Sequence, residues 1–300
     1  MTLFRKFHQA LTWFVQSIVF SSRIAGDMRT FFELIFIMSL AYTDRKKTAL
    51  RRRLCALAGY FLQSPKEKEV YLLLRINKRK YRFVFPNHTS GEFWTIRSIL
   101  IEILIKKTYH PASLLSSPQW IVDAGANLGL ATLYFSSLYP SAQFICYEPS
   151  SDTFRYLLKN LEANAIPHKA FQKAVADYEG FSSFLTSRSS MERQLDSAFS
   201  AETAEADESE MVEVVTLHSE LNKLGIRRVD LVKFDVEGAE TALLRGLGDA
   251  LARVRAFAGE VHGPELAAET SRILRINNFN VTLCEDHLHA TNNSTSERQG

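Results

Sequence analysis

Ile121-Val122-Asp123-Ala124-Gly125-Ala126-Asn127-Leu128-Gly129 is the stretch whose reading decides the fold. Ile121 to Ala124 is short and apolar around one acid, and it reads as a strand. Gly125 to Gly129 is a tight turn of small residues. Leu130 to Tyr139 is then a helix, closed by Pro140. Phe144 to Tyr147 is a second strand, ending at Glu148 and stopped by Pro149. Ser150 or Ser151 caps a further helix that runs to about Asn164. Strand, helix and strand in this order form a unit of parallel sheet, which binds ligands at the carboxyl ends of its strands.

The residue types suit an adenosine cofactor. A glycine turn lets the backbone approach a ligand, and helix N-terminal amides favour an anionic group there. An acid at the end of the second strand accepts from ribose hydroxyls, and Glu148 stands at that position. NAD proteins share that acid, so the turn must discriminate. A dinucleotide fingerprint needs Gly-x-Gly-x-x-Gly, whereas Asn127 and Leu130 occupy its third and sixth positions. Asp123, two residues before Gly125, offers a carboxylate to an ammonium group. S-adenosylmethionine carries an ammonium and no pyrophosphate, and it is preferred to NAD. A ligand-free turn is the bland alternative.

Two later segments join this one. Val229-Asp230-Leu231-Val232-Lys233-Phe234-Asp235-Val236-Glu237-Gly238-Ala239-Glu240 carries a Lys-x-Asp-x-Glu-Gly-x-Glu pattern, and Gly259-Glu260-Val261-His262-Gly263 carries Glu-x-His at a strand end. With Val122 to Gly129 and Tyr147-Glu148-Pro149, these ordered blocks resemble the FkbM-type methyltransferases from about Val122 to Leu283. The resemblance implies a class I methyltransferase fold: a Rossmann-like α/β domain with a seven-stranded, mostly parallel sheet. It implies S-adenosylmethionine as methyl donor and O-methylation of a sugar, glycan, glycolipid or natural-product hydroxyl. Asp123, Gly125, Asn127 and Gly129 would hold the methionine end, and Glu148 the ribose. The adenine would lie near Val175, after the third strand.

Methyl transfer to oxygen is an in-line displacement at a sulfonium, helped by alignment, exclusion of water and a base near the hydroxyl. Asp235 and His262 each end an apolar strand, so adjacent parallel strands would bring both to the cofactor's rim. His262 is the natural general base by its ordinary pKa. Asp235 and Glu260 are the other catalytic candidates, and Lys233 and Glu237 are candidate substrate contacts. Each has a plainer reading: a structural hydrogen bond for His262, an ion pair for Lys233, and acids favoured in a first helical turn for Glu237 and Glu240. The acids supply no compact ligand set along the chain, so no metal is expected.

The rest of the chain divides by charge. Through His110 there are 20 Lys+Arg against 7 Asp+Glu, and after it 16 against 26. A hydrophobic share of 46% with 23% charged residues excludes a wholly disordered, collagenous or polytopic membrane chain. Cys55, Cys146 and Cys284 make no closely spaced pair, which fits a reducing compartment without a disulfide scaffold. Phe4, Phe7, Leu11, Phe14 and Ile18 recur at helical spacing, and six cations lie between Arg45 and Arg53. This reads as an amphipathic, basic region that contacts a membrane surface or an anionic substrate, or as a helical cap with a solvated face. Val70 to Ile76 and Tyr81 to Phe85 alternate around Asn77-Lys78-Arg79-Lys80, a β-hairpin, and Phe93 to Lys107 returns to helical spacing. Thr186 to Met211 is an acidic, Ser- and Ala-rich connection, a lid or a surface loop.

The expected division is a basic helical region over 1–65, hairpin and helix over 66–116, the methyltransferase domain over 117–288, and a disordered tail over 289–300. The expected location is the cytoplasm, with peripheral contact at the inner membrane surface through the basic region. The acceptor is expected to be a small molecule or glycan, with no nucleic acid partner. RNA methylation and non-catalytic nucleotide binding or membrane association are the alternatives.

Overall fold

The computed structural model describes residues 18–19, 21–31, 34–35, 69–86, 96–111, 115–186 and 208–294. The chain divides into two compact units, residues 1–106 and 107–300.

In the first unit, β1 (Glu69–Ile76) and β2 (Arg79–Pro86) pair as an antiparallel hairpin. Val70, Leu72, Leu74, Ile76, Tyr81, Phe83 and Phe85 are buried, so one face carries the alternating apolar set. The turn is tighter than the expected four residues. Asn77 and Lys78 alone connect the strands, both at positive φ (45° and 72°), while Arg79 pairs with Ile76 inside the ladder. A two-residue turn of this hand matches strand twist, whereas its mirror-image turn would splay the strands. The segment 21–31 lies against β1, where the Gly26 amide donates to the Leu73 carbonyl at 2.6 Å. The helix over 96–106 ends in a π-helical turn, Ile101–Lys106. The basic cluster at 45–53 and most of the amino-terminal apolar stripe lie outside the described residues. No helix among the described residues is long and apolar enough to cross a membrane.

The second unit contains β3 (Trp120–Ala124), α1 (Leu130–Leu138), β4 (Gln143–Tyr147), α2 (Ser151–Ala163), β5 (His168–Phe171), β6 (Lys173–Val175), β7 (Gly180–Thr186), β8 (Glu208–Val215), α3 (Leu217–Lys223), β9 (Leu231–Phe234), α4 (Glu240–Leu247), β10 (Ala256–Glu260), α5 (Pro264–Ile276), β11 (Phe279–Cys284) and β12 (His287–Asn292). Seven strands form one sheet in the order β11-β12-β10-β9-β3-β4-β5. Only β12 runs against the others. This is the seven-stranded, mostly parallel sheet that the resemblance implies. Its central strands are buried on both faces, which is why Ile121, Val122, Phe144, Ile145, Leu231 and Val232 read as apolar runs. Phe257 packs between Phe234 and Phe279, with ring centroids 6.3 and 5.3 Å apart. The Ser150 Oγ caps α2 by accepting from the Thr153 amide.

Two expectations change here. The tail does not begin at residue 289: β12 continues to Asn292 and pairs with β10 and β11. Leu288, Ala290 and Asn292 are buried, so this strand is half polar, and its His, Thr and Asn residues disguised it. The acidic connection also starts later than Thr186 and ends earlier than Met211, because β7 and β8 pair from Gly180↔Val214 to Thr186↔Glu208. The acids between them lie outside the described residues. β6 joins β7 and β8 in a separate three-stranded sheet, order β6-β8-β7.

Candidate active site

The carboxyl ends of β3, β4 and β9 open into one cleft. Gly125, Asn127, Glu148, Val175, Asp235 and Glu237 line it, together with Lys173, Phe184 and Ala239. Six of the expected site residues therefore share one wall system, although 112 positions separate Gly125 from Glu237 in sequence.

The turn after β3 is shaped by its glycines. Gly125 has φ 72°, and a Cβ there would be driven into the Asp235 backbone carbonyl. Gly129 has φ 84° at the start of α1, where a Cβ would meet Leu157. Asn127, at φ 49°, is one of the few residue types that tolerates the left-handed region. The Gly125 and Ala126 amides donate to the Tyr147 carbonyl at 3.0 and 2.9 Å, which ties the turn to β4. The Asn127 amide donates to Glu148 Oε2 at 2.9 Å, and the Ser150 amide to Glu148 Oε1 at 3.1 Å. A carboxylate accepts about four hydrogen bonds. The two amides orient the Glu148 carboxylate at the cleft wall, where an acid ending the second strand can accept from a ribose diol. S-adenosylmethionine fits the cleft on this count.

Asp123 and Lys233 are elsewhere than expected. Neither lines the cleft. Asp123 is 0% and Lys233 2% exposed, with Lys233 Nζ 3.1 Å from Asp123 Oδ1. Lys233 Nζ also donates to the Gly125 carbonyl at 2.7 Å, and Thr132 Oγ1 donates to Asp123 Oδ2 at 2.6 Å. Burial works against the Lys233 charge, but Asp123 and Asp235 outweigh it and raise its pKa. The expected ammonium contact of Asp123 and substrate contact of Lys233 are thus corrected. A buried charge needs its partner, and the two charges meet beneath the turn, where they fix the Gly125 carbonyl. Gly129 is also set back from the cleft and shapes the entry to α1.

The second group of residues stands at the ends of β9 and β10. Asp235 is anchored by its amide on the Ala124 carbonyl at 3.1 Å. Tyr109 donates to Asp235 Oδ2 at 3.0 Å and lies 3.4 Å from Glu260 Oε2. His262 Nδ1 is 2.6 Å from Glu240 Oε1, and Nε2 is 3.2 Å from Glu237 Oε2 and 4.0 Å from Glu260 Oε1. Both ring nitrogens face carboxylates, which favours the protonated ring. The Glu240 hydrogen bond, against the cost of burial and with help from Glu237, raises its pKa to about 9. An imidazolium cannot take a hydroxyl proton, so this raised pKa counts against His262 as the general base. Burial, and then repulsion by Asp235, push the Glu237 carboxyl up to about 7. Asp235, Glu237 and His262 each place one metal-ligating atom within 4.8 Å of the others.

Three contributors escaped the sequence reading. Thr132 is a polar residue on the buried face of an apolar helix, which is the signal that could have found it. Glu240 looked like an ordinary first-turn acid, yet it is fully buried against His262. Tyr109 precedes the domain's first strand, and nothing in its local pattern marks it.

The Methyltransferase FkbM domain matches residues 123–287. The AMB antimetabolite synthetase AmbE of Pseudomonas aeruginosa is 29% identical over 227 residues, covering 62% of this chain and 11% of AmbE. Methyltransferase 1 of Beauveria bassiana is 30% identical over 164 residues, covering 49% of this chain and 66% of that protein. The 31-O-demethyl-FK506 methyltransferase FkbM of Streptomyces tacrolimicus is 28% identical over 197 residues, covering 57% and 76%. The chain therefore spans about a tenth of AmbE and just under two thirds of Methyltransferase 1.

Proposed function

The chain belongs to the FkbM methyltransferase family, whose methyl donor is S-adenosylmethionine, and we propose that it methylates a hydroxyl oxygen of a sugar, glycan, glycolipid or related natural product. The observation that carries this reading is the shared wall of the cleft. Asp235 and Glu237 stand on the same cleft as the Gly125 turn and Glu148. Bound there, S-adenosylmethionine would supply an electrophilic methyl group. Gly125, Asn127 and Glu148 would hold it, with Val175 beside the base.

The protein's own residues have a narrower task. They must hold the acceptor oxygen in line and receive its proton, because a sugar hydroxyl is barely ionised at neutral pH. The oxygen–methyl bond forms as the sulfur–methyl bond breaks, and the hydroxyl proton goes to a carboxylate. Asp235, Glu237 and Glu260 supply carboxylates for this, while His262, held by Glu240, orients Glu237. The relative named for a demethyl-FK506 substrate supports an oxygen acceptor. We further propose a cytoplasmic location, with the basic amino-terminal region bringing an anionic or membrane-borne acceptor to the enzyme.

The test is transfer of a labelled methyl group from S-adenosylmethionine to fractionated cell extract by the purified protein. Label in the glycan, lipid or small-molecule fraction, stable to mild base as an ether, is expected. Label confined to RNA or protein would overturn the reading.

A further inference from the structure

The ends of β9 and β10 concentrate more negative charge than a proton acceptor needs. Four carboxylates, Asp235, Glu237, Glu240 and Glu260, gather around one imidazole. We propose that Asp235, Glu237 and His262 bind a divalent cation at the rim of the cleft, through one oxygen from each acid and the His262 Nε2, which releases its proton as the ion binds. This inference rests on reading the cleft as a methyl-transfer site.

Three observations carry it. First, these three ligand atoms already lie within 4.8 Å of one another. The 3.2 Å between His262 Nε2 and Glu237 Oε2 is close to the roughly 3 Å between adjacent ligand atoms around an ion with bonds of about 2.1 Å. Second, His262 is mounted as a metal ligand is mounted. Its Nδ1 is held at 2.6 Å by Glu240, a carboxylate with 0% exposure, so Nε2 is the atom turned toward the acids. A carboxylate behind a histidine fixes ring orientation and strengthens the histidine as a ligand. Third, the other Glu240 oxygen, Oε2, is buried without a hydrogen-bond partner. A buried carboxylate with an unsatisfied oxygen is costly, and a nearby dication offsets that cost.

The position gives the ion a use. Asp235 and Glu237 line the cleft, so the ion stands where an acceptor hydroxyl must come. A Lewis acid there lowers the hydroxyl's pKa. With Asp235 and Glu237 engaged, Glu260 is the remaining carboxylate to receive the proton. The ligand set was hidden in sequence because Glu237 and His262 are 25 positions apart; only the pairing of β9 with β10 joins them.

The experiment is titration of Mn²⁺ into chelator-treated full-length protein, read by the electron paramagnetic resonance signal of the free ion. One bound Mn²⁺ is expected. His262→Asn and Glu237→Gln should each weaken it about 10- to 100-fold, with S-adenosylmethionine binding by calorimetry retained. If one variant fails to fold, Asp235→Asn serves in its place. Wild-type protein that binds S-adenosylmethionine but no Mn²⁺ would overturn the site, as would variants with wild-type Mn²⁺ affinity. Hydroxyl methylation at full rate in excess chelator would also overturn it. Mn²⁺ binding without any hydroxyl methylation would uphold the cation site and count against the acceptor reading instead.

Discussion

The two halves of the cleft are built on opposite electrostatic plans. Around the Gly125 turn every charge has its complement: Asp123 meets Lys233 and Thr132, and Glu148 meets two amides. Around His262 the acids outnumber the cations, and Glu237 carries its extra proton affinity because of burial and Asp235. In the first half these charges are met by groups of the protein itself. The second has the excess of acids that the proposed cation would balance. On the proposed function, the difference teaches that binding and chemistry are separated by strand: β3 and β4 carry the first, and β9 and β10 the second.

Breaking the complete half should have the largest effect. Lys233→Met strands the Asp123 charge in a dry interior and should cost about 3–5 kcal/mol in urea denaturation. Adding Asp123→Leu should recover part of that loss, because an apolar pair of similar volume replaces the ions. Next comes the incomplete half, in chelator-treated protein. The His262 pKa of about 9 lies above its ordinary value of about 6.5, so the folded state holds the proton more tightly. That stabilisation is fully present below pH 6.5 and is lost as pH rises through 9. About 2–3 kcal/mol should disappear across this window, and His262→Asn should lack the decline. Thr132→Val removes a hydrogen bond to a buried carboxylate and should cost about 2 kcal/mol, measured by thermal melting with and without cofactor. Ser150→Ala removes the α2 cap, should cost about 1 kcal/mol, and should leave methyl transfer unchanged. An equal loss from Thr132→Val and Ser150→Ala would mean that the buried pair is less dependent on its partners than its geometry implies.

Most of the scaffold was legible because parallel strands buried on both faces announce themselves as apolar runs. Ile121 to Ala124 and Phe144 to Tyr147 are of this kind, and the glycine turn between them needs left-handed residues that only a few side chains permit. The site was legible as a set of residues but not as a set of roles. Lys233 stands beside acids in sequence, yet its burial against Asp123 depends on β3 and β9 being neighbours. His262 looked like a free base because nothing local reveals that Glu237 and Glu240 clamp both nitrogens. β12 was missed since an edge-side strand with alternating His, Thr and Asn resembles a polar tail.

The central claim is that the cleft between the Gly125 turn and Glu148 is the donor site. Calorimetric titration of S-adenosylmethionine into wild type and Glu148→Ala tests it most directly. One bound cofactor per wild-type chain is predicted, with affinity reduced at least about 10-fold in the variant, the equivalent of losing a charged hydrogen bond of about 1.5 kcal/mol or more. Equal affinity in the two proteins would contradict the assignment of this cleft.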